Sequence, residues 1–180
     1  MTETSPQMAT SLVVMGPAGV GKTTTAASLA GMLGWPYAEA DEFHPAANIT
    51  KMESGTPLDD KDRAPWLAAI RDWISDEAAA GRSTVVTCSA LKRSYRDLLR
   101  GAQARVRFVC LTATPDLVGR RMATRQGHFM PVSLLKSQFD TFQPLEADED
   151  GIVVSVDLPP DEVVATALRA LRLSPVPRAG

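Results

Sequence analysis

The sequence contains few of the residues and patterns that mark secreted, membrane or nucleic-acid-binding proteins. Two cysteines and two histidines among 180 residues are too few and too widely spaced for a disulfide framework or a zinc site. No apolar run approaches the roughly 20 residues that a membrane span needs, and the first residues lack a basic-then-apolar signal pattern. The net charge of -2 provides no basic surface for nucleic acid. We therefore expect a cytoplasmic protein in which Cys88 and Cys110 are buried thiols.

The 180 residues are expected to form one domain, because a chain of this length supports a single core. Residues 1–10 and 174–180 are polar or rich in proline, and we predict loose tails around a core at about 11–173. Between the tails, five short apolar runs alternate with amphipathic or Ala-rich segments, which is typical of an α/β fold with a parallel sheet and helices on both faces. The predicted strands are 12–15, 37–40, 84–88, 106–111 and 152–156.

Directly after the first apolar run, residues 16–23 read GPAGVGKT and match the pattern G-x-x-x-x-G-K-[ST] in full. A strand precedes this segment and a helix predicted over 24–33 follows it, which is the setting of a phosphate-binding loop. Backbone N–H groups of such a loop point at phosphate oxygens, and the helix dipole adds positive charge. Lys22 would reach the β- and γ-phosphates, and the Thr23 hydroxyl would ligate Mg²⁺. The predicted nucleoside triphosphate site consists of Gly16, Pro17, Ala18, Gly19, Val20, Gly21, Lys22, Thr23 and Thr24.

Two polar stretches interrupt the alternation of strands and helices. The first, residues 42–65, opens a predicted substrate-binding insert at about 42–80. The second, at about 125–147, is a predicted lid with few apolar anchors. Ligands of open α/β sheets bind outside the carboxyl ends of the strands, and both stretches begin near such ends.

Phosphoryl transfer needs a metal, a group that orients the acceptor hydroxyl, and cations for the developing charge. Asp41 follows the second predicted strand, where it would orient or deprotonate the hydroxyl or hold Mg²⁺ through water. The alternative is a residue that caps a turn. Arg121 and Arg125 lie one helical turn apart and would clamp phosphates, unless they belong to a solvated face together with Arg120.

Four further polar residues are candidates for substrate contact. Lys92 and Arg96 are four positions apart, so one helix face could present both charges to an anion, although an ordinary basic amphipathic helix has the same pattern. His44 and His128 both fall in the polar stretches, where they would bind substrate or serve as structural hydrogen-bonding groups.

Short motifs along most of the chain resemble those of gluconokinases of the thermoresistant, P-loop type. The matching segments include DEFHP at 41–45, GTPLDD at 55–60, CSALK at 88–92, YRDLL at 95–99 and RQGHFM at 125–130. The resemblance covers roughly residues 12–172 in the same order and spacing. One departure is PAGV at 17–20, where the family more often has a Ser-rich stretch, and Pro17 removes one N–H donor there.

The resemblance implies a nucleoside-kinase-like three-layer fold and phosphorylation of D-gluconate at its 6-hydroxyl by ATP with Mg²⁺. It also implies a homodimer. The expected catalytic residues are Lys22, Asp41 and Arg125, with Arg121 and Arg125 at the nucleotide. The expected metal ligands are Thr23 and Asp41. Substrate contacts are expected from Asp41, His44, Lys51, Arg63, Lys92, Arg96 and His128, and which of the four Lys and Arg side chains meets the substrate carboxylate stays open.

Three other interpretations are open at this point. Another P-loop small-molecule kinase, of shikimate or nucleotide type, would share the loop and lid but not the CSALK and GHFM strings together. A GTPase would need an N-K-x-D guanine motif, which the chain lacks, although DLVG at 116–119 fits D-x-x-G. The presence of Lys22, Thr23, Asp41 and Arg125 together argues against a regulator that binds nucleotide without catalysis, but that interpretation stays open.

Overall fold

The chain forms one five-stranded parallel sheet in a computed structural model that describes residues 7–124 and 132–177. The strands are β1 Thr10–Met15, β2 Tyr37–Glu39, β3 Thr84–Thr87, β4 Arg105–Thr112 and β5 Gly151–Ser155. Their order in the sheet is β2-β3-β1-β4-β5, so the first strand is central. All five strands predicted from the apolar runs are confirmed, with ends displaced by one or two residues.

Helices connect the strands and cover both faces of the sheet. In the described ranges they are α1 Lys22–Leu33, α2 Ala46–Glu53, α3 Asp60–Ala79, α4 Arg93–Arg100, α5 Pro115–Thr124, α6 Val132–Thr141 and α7 Pro160–Leu171. A 3₁₀ turn at Ala40–Phe43 follows β2. Of the helices in these ranges, none is both long and apolar enough to cross a membrane.

The sheet is buried on both faces because successive residues of a strand point to opposite sides. Leu12 and Val14 pack with α1 and α7 on one face, and Val13 and Met15 pack with α3 and α4 on the other. All four side chains are fully buried. The predicted α/β architecture with helices on both faces is therefore confirmed, and parallel pairing brings the carboxyl ends of all five strands to one edge.

Polar residues mark the beginnings of two helices. The Asp59 carboxylate accepts from the N–H of Asp62 at 2.8 Å, and the Asp62 carboxylate accepts from the N–H of Asp59 at 2.9 Å, which is a capping box for α3. The Thr114 hydroxyl accepts from the N–H of Leu117 at 3.2 Å and caps the beginning of α5. Residues 116–119 therefore lie in the first turns of α5, where the D-x-x-G match has no role as a GTPase switch loop.

The two thiols are buried, as predicted. Cys88 and Cys110 are free, and each is 1% exposed. Burial raises the pKa of each thiol to about 11. Both are therefore protonated, unreactive core residues at neutral pH.

The segment predicted as a lid, at about 125–147, is only partly described, because residues 125–131 lie outside the described ranges. Beyond them the chain is attached to the core. Phe139 packs against the core on the α1 side of the sheet, and Phe142 and Leu145 pack against the core on the α3 side. The expectation of few apolar anchors is therefore wrong for residues 132–147. The apolar side chains are spread through a mostly polar stretch of sequence, and their packing against the core becomes visible only in the fold.

Gly16, the first residue after β1, leaves no space for a side chain. Its φ is 140°, in a region that residues with a Cβ rarely adopt. A Cβ at this position would lie 2.7 Å from the carbonyl oxygen of Leu111 on β4. That oxygen belongs to the backbone of the neighbouring strand and cannot move away without disturbing the sheet.

We expect Gly16→Ala to lower the free energy of unfolding by about 2–4 kcal/mol, from overpacking together with backbone strain. Gly31→Ala is the matched control, because Gly31 lies in α1 with open space where its Cβ would be. Alanine there should raise stability by roughly 0.5–1 kcal/mol. Urea unfolding of both variants measures the difference, and wild-type stability of the first variant would contradict the clash.

Candidate active site

The loop between β1 and α1 holds a lysine at the beginning of a helix. Gly21 is the N-cap of α1 with a φ of 94°, and Lys22 is the first helical residue. The Lys22 ammonium donates to the carbonyl oxygens of Gly16 at 2.9 Å and Pro17 at 3.0 Å. Burial lowers the pKa of Lys22 to about 8. The loop thus presents a desolvated cation whose charged form a bound phosphate would stabilise.

Lys22 opens onto a pocket of about 290 Å³, which we term the catalytic pocket. The pocket lies at the carboxyl edge of the sheet, where β1, β2 and β3 end next to each other. It brings together the predicted residues Lys22, Thr23 and Asp41. Its lining residues are Ala18, Lys22, Thr23, Glu39, Ala40, Asp41, Trp66, Thr87, Cys88, Ser89 and Gln138.

Glu39 is a second acid in the catalytic pocket and was not among the predicted site residues. Its carboxylate accepts hydrogen bonds from the hydroxyls of Tyr37 and Thr87, which fix it at the end of β2. Glu39 and Asp41 are two positions apart at the end of a strand. Residues at this spacing in a strand point to the same face, so the sequence could have indicated that both acids face one pocket.

Gln138 of α6 closes one side of the catalytic pocket. Its side-chain oxygen accepts from the N–H of Ala18 in the loop at 2.6 Å. This bond links the segment after residue 131 directly to the phosphate-binding loop. Gln138 was not among the predicted site residues.

His44 lies next to the catalytic pocket, because its ring contacts Trp66, which lines that pocket. The two rings are stacked, with centroids 4.4 Å apart and an interplanar angle of 11°, and the Trp66 indole N–H donates to the carbonyl of Ala40 at 2.7 Å. Burial lowers the pKa of His44, against the opposing effect of Asp41. The imidazole is therefore neutral at neutral pH and can both donate and accept hydrogen bonds.

A second, more open pocket of about 520 Å³ lies at the beginning of α3, and we term it the acceptor pocket. It is lined by Leu58, Asp59, Asp60, Lys61, Arg63 and Lys92. Arg63 and Trp66 are three residues apart on α3, so one side of this helix borders both pockets. The acceptor and catalytic pockets are therefore neighbours.

Two cations of the acceptor pocket meet around one aromatic ring. The guanidinium of Arg63 lies 5.7 Å and the ammonium of Lys92 lies 5.5 Å from the centroid of Tyr95. Arg63 donates to the Tyr95 hydroxyl at 3.2 Å, and that hydroxyl donates to Asp60. Lys92 pairs with Asp60 at 3.1 Å. The arrangement concentrates positive charge where a ligand carboxylate could replace or join Asp60.

A third cleft, of about 310 Å³, lies on the other side of the loop. It brings the predicted residues Thr24 and Arg121 next to the loop. Arg121 donates to the carbonyl oxygen of Val156 at 2.8 Å, which holds its guanidinium at the wall of the cleft. The lining is otherwise mostly apolar and consists of Val20, Gly21, Thr24, Thr25, Arg121, Val156, Leu158, Pro160 and Val163. An apolar wall beside a guanidinium suits a planar aromatic base.

The structure contradicts the prediction that Arg96 contacts substrate. Its side chain is fully buried and pairs with Glu149, whose side chain is also fully buried, at 2.6 Å. Lys51 pairs with Asp62 at 2.5 Å, so its charge is directed to the capping box of α3. Of the four predicted cations, Arg63 and Lys92 line the acceptor pocket.

Two predicted site residues, Arg125 and His128, lie outside the described residues. Arg125 was expected to act with Arg121 at the phosphates, and His128 was expected to contact the substrate. Both expectations stay predictions.

The catalytic pocket offers oxygen donors that fit Mg²⁺. The described part of the chain contains no group of three or more His, Cys, Asp or Glu side chains that could hold a metal ion by themselves. The Thr23 hydroxyl and the Asp41 carboxylate are nevertheless hard ligands of the kind that Mg²⁺ uses together with phosphate oxygens and water. The pocket therefore suits a metal that is bound together with a nucleotide.

Comparison with known proteins places the chain in a family. A family model described as an AAA domain matches residues 12–145. A gluconokinase from Gluconobacter oxydans (strain 621H) is 48% identical over 172 residues, which cover 94% of this chain and 97% of that protein. The chain belongs to the gluconokinase family. The protein is thus a P-loop kinase, and the predicted family and enzyme class are confirmed.

Solved structures agree with this family assignment. A sugar kinase from Janibacter sp. HTCC2649 is 47% identical with a TM-score of 0.86, over 93% of this chain and 96% of that one. A gluconokinase from Sinorhizobium meliloti 1021 is 42% identical with a TM-score of 0.80, over 92% of this chain and 93% of that one. The predicted P-loop kinase fold is confirmed.

The lowered pKa of Lys22 predicts a window in which stability depends on pH. Between about 8 and the ordinary value of 10.5, the unfolded chain binds a proton at Lys22 that the folded protein does not bind. The free energy of unfolding therefore rises with pH across this window. Relative to Lys22→Met, we expect wild type to gain about 2 kcal/mol between pH 7 and pH 10. Urea unfolding of both proteins at both pH values measures this, and a constant difference between them would show that the ammonium is not desolvated.

Proposed function

We propose that the protein transfers the γ-phosphoryl group of ATP to the 6-hydroxyl of D-gluconate, producing 6-phospho-D-gluconate and ADP. The observation that carries this proposal is that Lys22 and Asp41 line the catalytic pocket, while Arg63 and Lys92 line the acceptor pocket, and that α3 borders both pockets. A linear sugar acid has a hydroxyl at one end and a carboxylate at the other, and the two pockets match these groups. The 48% identity to a protein named gluconokinase supports the same substrate.

The nucleotide would lie along the phosphate-binding loop. Its base would occupy the cleft beside Arg121, and its phosphates would accept hydrogen bonds from the loop N–H groups at the beginning of α1. Lys22 would leave its loop carbonyls for the β- and γ-phosphates. Bound Mg²⁺ would neutralise part of the phosphate charge, held by Thr23 and, through water, by Asp41.

Asp41 would act on the acceptor hydroxyl. It lies in the 3₁₀ turn after β2 and lines the catalytic pocket with Lys22. A carboxylate in this position can accept the hydroxyl proton or hold the oxygen in line with the γ-phosphate, and positioning accounts for much of the catalysis of phosphoryl transfer. The neutral imidazole of His44 would hydrogen-bond to a hydroxyl of the sugar chain.

The substrate carboxylate would bind between Arg63 and Lys92. The Tyr95 hydroxyl orients Arg63, and Asp60 balances the two charges when no acidic ligand is bound. A guanidinium can bind a carboxylate through two parallel hydrogen bonds, which fixes the orientation of the ligand. Glucose, which has no carboxylate, would leave these cations unpaired.

Several features of this proposal follow from the family resemblance. Residues 125–147 would close over the phosphates as a lid, with Arg125 and His128 brought to the γ-phosphate and the substrate. The protein would act as a homodimer in the cytoplasm. In the described part of this segment, the Gln138 side chain accepts a hydrogen bond from the N–H of Ala18. This contact with the phosphate-binding loop supports the proposed lid.

We expect Asp41→Asn to lower kcat by about 10²–10⁴, which is the usual contribution of a positioned acid or base. The KM for ATP should change much less. Glu42→Gln is the matched control, because this exposed carboxylate lies in the same turn but is not part of the catalytic pocket. Steady-state kinetics of both variants separate the roles, and an unchanged kcat with a lower melting temperature would make Asp41 a structural cap.

We expect gluconate to be preferred over glucose by on the order of 10⁴ in kcat/KM, because polar recognition of this kind rejects a ligand that lacks the recognised group. Arg63→Ala should narrow this gap by raising the KM for gluconate selectively. Arg71→Ala on the same helix, where Arg71 pairs with the exposed Asp72, serves as the control. A kinase assay with gluconate, glucose and shikimate tests the proposal, which would be refuted by comparable use of gluconate and glucose or by a preference for shikimate.

A further inference from the structure

The turn between β3 and α4, residues 88–92, supplies side chains to both pockets. Ser89 lines the catalytic pocket and Lys92 lines the acceptor pocket. Between them, Ala90 has a φ of 45°, in the left-handed region that is unfavourable for a residue with a Cβ. A conformation of this kind persists only where the surroundings hold it.

Arg96, one turn into α4, is bonded to this turn. Its guanidinium donates to the carbonyl oxygens of Ala90 at 2.9 Å and Leu91 at 3.4 Å. The side chain is fully buried. Arg96 is thus bonded to the carbonyls of two successive peptide groups of the turn.

Glu149 holds the same guanidinium from the other side. Its two carboxylate oxygens accept from Arg96 at 2.6 and 3.2 Å, as a two-pronged pair. The Glu149 carboxylate also accepts from the N–H of Glu146 at 2.8 Å. Arg96 further donates to the carbonyl of Pro144 at 3.3 Å. The pair therefore connects the turn to residues 144–149, which precede β5.

A second set of bonds joins the same two segments. The N–H of Gln143 donates to the carbonyl of Leu91 at 2.7 Å, and the side chain of Gln143 accepts from the N–H of Arg93 at 2.7 Å. The segment that follows α6 is thus attached to the turn at several points. Arg96 is the member of this set that bonds directly to Ala90.

We infer that Arg96 and Glu149 are positioning residues for phosphoryl transfer. The buried pair holds Ala90 in its left-handed conformation and thereby places Ser89 in the catalytic pocket and Lys92 in the acceptor pocket. The kinetic part of this inference rests on the proposed function, since it takes Lys92 as a ligand of the substrate carboxylate. The holding of the turn does not rest on it.

The decisive variant is the double substitution Arg96→Met/Glu149→Leu. Replacing both members of a buried ion pair by apolar residues often leaves stability unchanged, whereas removing one member leaves a buried charge unpaired. The double variant should therefore fold and yet lack the bonds to the turn. We expect kcat/KM for gluconate to fall at least about tenfold, because small misplacements of a binding group have large effects on rate.

Arg107→Met is the matched control. Arg107 is 11% exposed, pairs with Asp150 at 3.2 Å and donates to the carbonyl of Leu171 at 2.9 Å. Its ion-pair partner, Asp150, is the neighbour of Glu149 in sequence, and its hydrogen bond to Leu171 joins β4 to α7. This variant should lose stability and keep wild-type KM and kcat. A kinetic loss in the control equal to that of the double variant would overturn the inference.

Two further measurements separate the inference from a purely structural role. In a Lys92→Met background, the double substitution should have a smaller effect on the KM for gluconate, because its action passes through Lys92. Amide hydrogen exchange at residues 88–92 should be faster in the double variant, and this readout needs no acceptor. Wild-type kinetics and unchanged exchange in a stable double variant would overturn the inference.

Failure of the proposed function has a different signature. A wild-type enzyme that does not phosphorylate gluconate would refute the proposed function, while the exchange experiment would still decide whether Arg96 holds the turn. If the double variant does not fold, Arg96→Lys takes its place. It retains the charge but has three N–H donors in place of five in a planar fork, so it cannot make all the bonds of Arg96 to Glu149, Ala90, Leu91 and Pro144. A loss in kcat/KM at wild-type stability supports the inference, and wild-type values overturn it.

Discussion

Parallel pairing of the central strand is the constraint on which the rest of the molecule depends. In the register of β1, Val14 is opposite Thr87 of β3 and Met15 is opposite Cys110 of β4. The carboxyl ends of these strands therefore lie side by side, and the segments that follow them meet at one edge. The close approach of Gly16 to the carbonyl of Leu111 shows how little space this pairing leaves for the loop.

Electrostatics at this edge follow from partial burial. Burial lowers the pKa of Lys22 to about 8 although nearby acids favour its charged form, and an incoming phosphate would favour that form further. The hydrogen bond to Asp60 raises the pKa of Lys92, and the guanidinium of Arg63 lies beside the ring of Tyr95. Each of these three cations thus has a polar, acidic or aromatic partner within the protein. Within the described residues, every buried polar side-chain atom has a hydrogen-bond partner.

The P-loop fold by itself does not define the substrate, because related folds carry many reactions. The features specific to this site lie on the insert and on the turn after β3. The insert supplies Arg63 and the stacked pair of His44 and Trp66, and the turn supplies Lys92. These elements are held by long-range contacts such as the pair of Arg96 with Glu149.

The sequence by itself determined the features that depend on neighbouring residues. These are the phosphate-binding loop and the five strands, since a short motif and the hydrophobic period act over a few positions. The family could also be recognised, because its motifs are short and ordered along the chain. Asp41 and Lys22 fall in the same pocket because strand ends of a parallel sheet meet at one edge.

Only the tertiary structure decided which charges face the ligand. Lys92 and Arg96 are four apart, and the sequence treats them alike. Lys92 lies before the first turn of α4 and reaches the acceptor pocket, while Arg96 is buried because Glu149, 53 positions away, pairs with it. Glu39 and Gln138 were missed for the same reason: their partners, Thr87 and Ala18, are distant in sequence. Local pattern carries no information about such partners, and the fold alone brings them together.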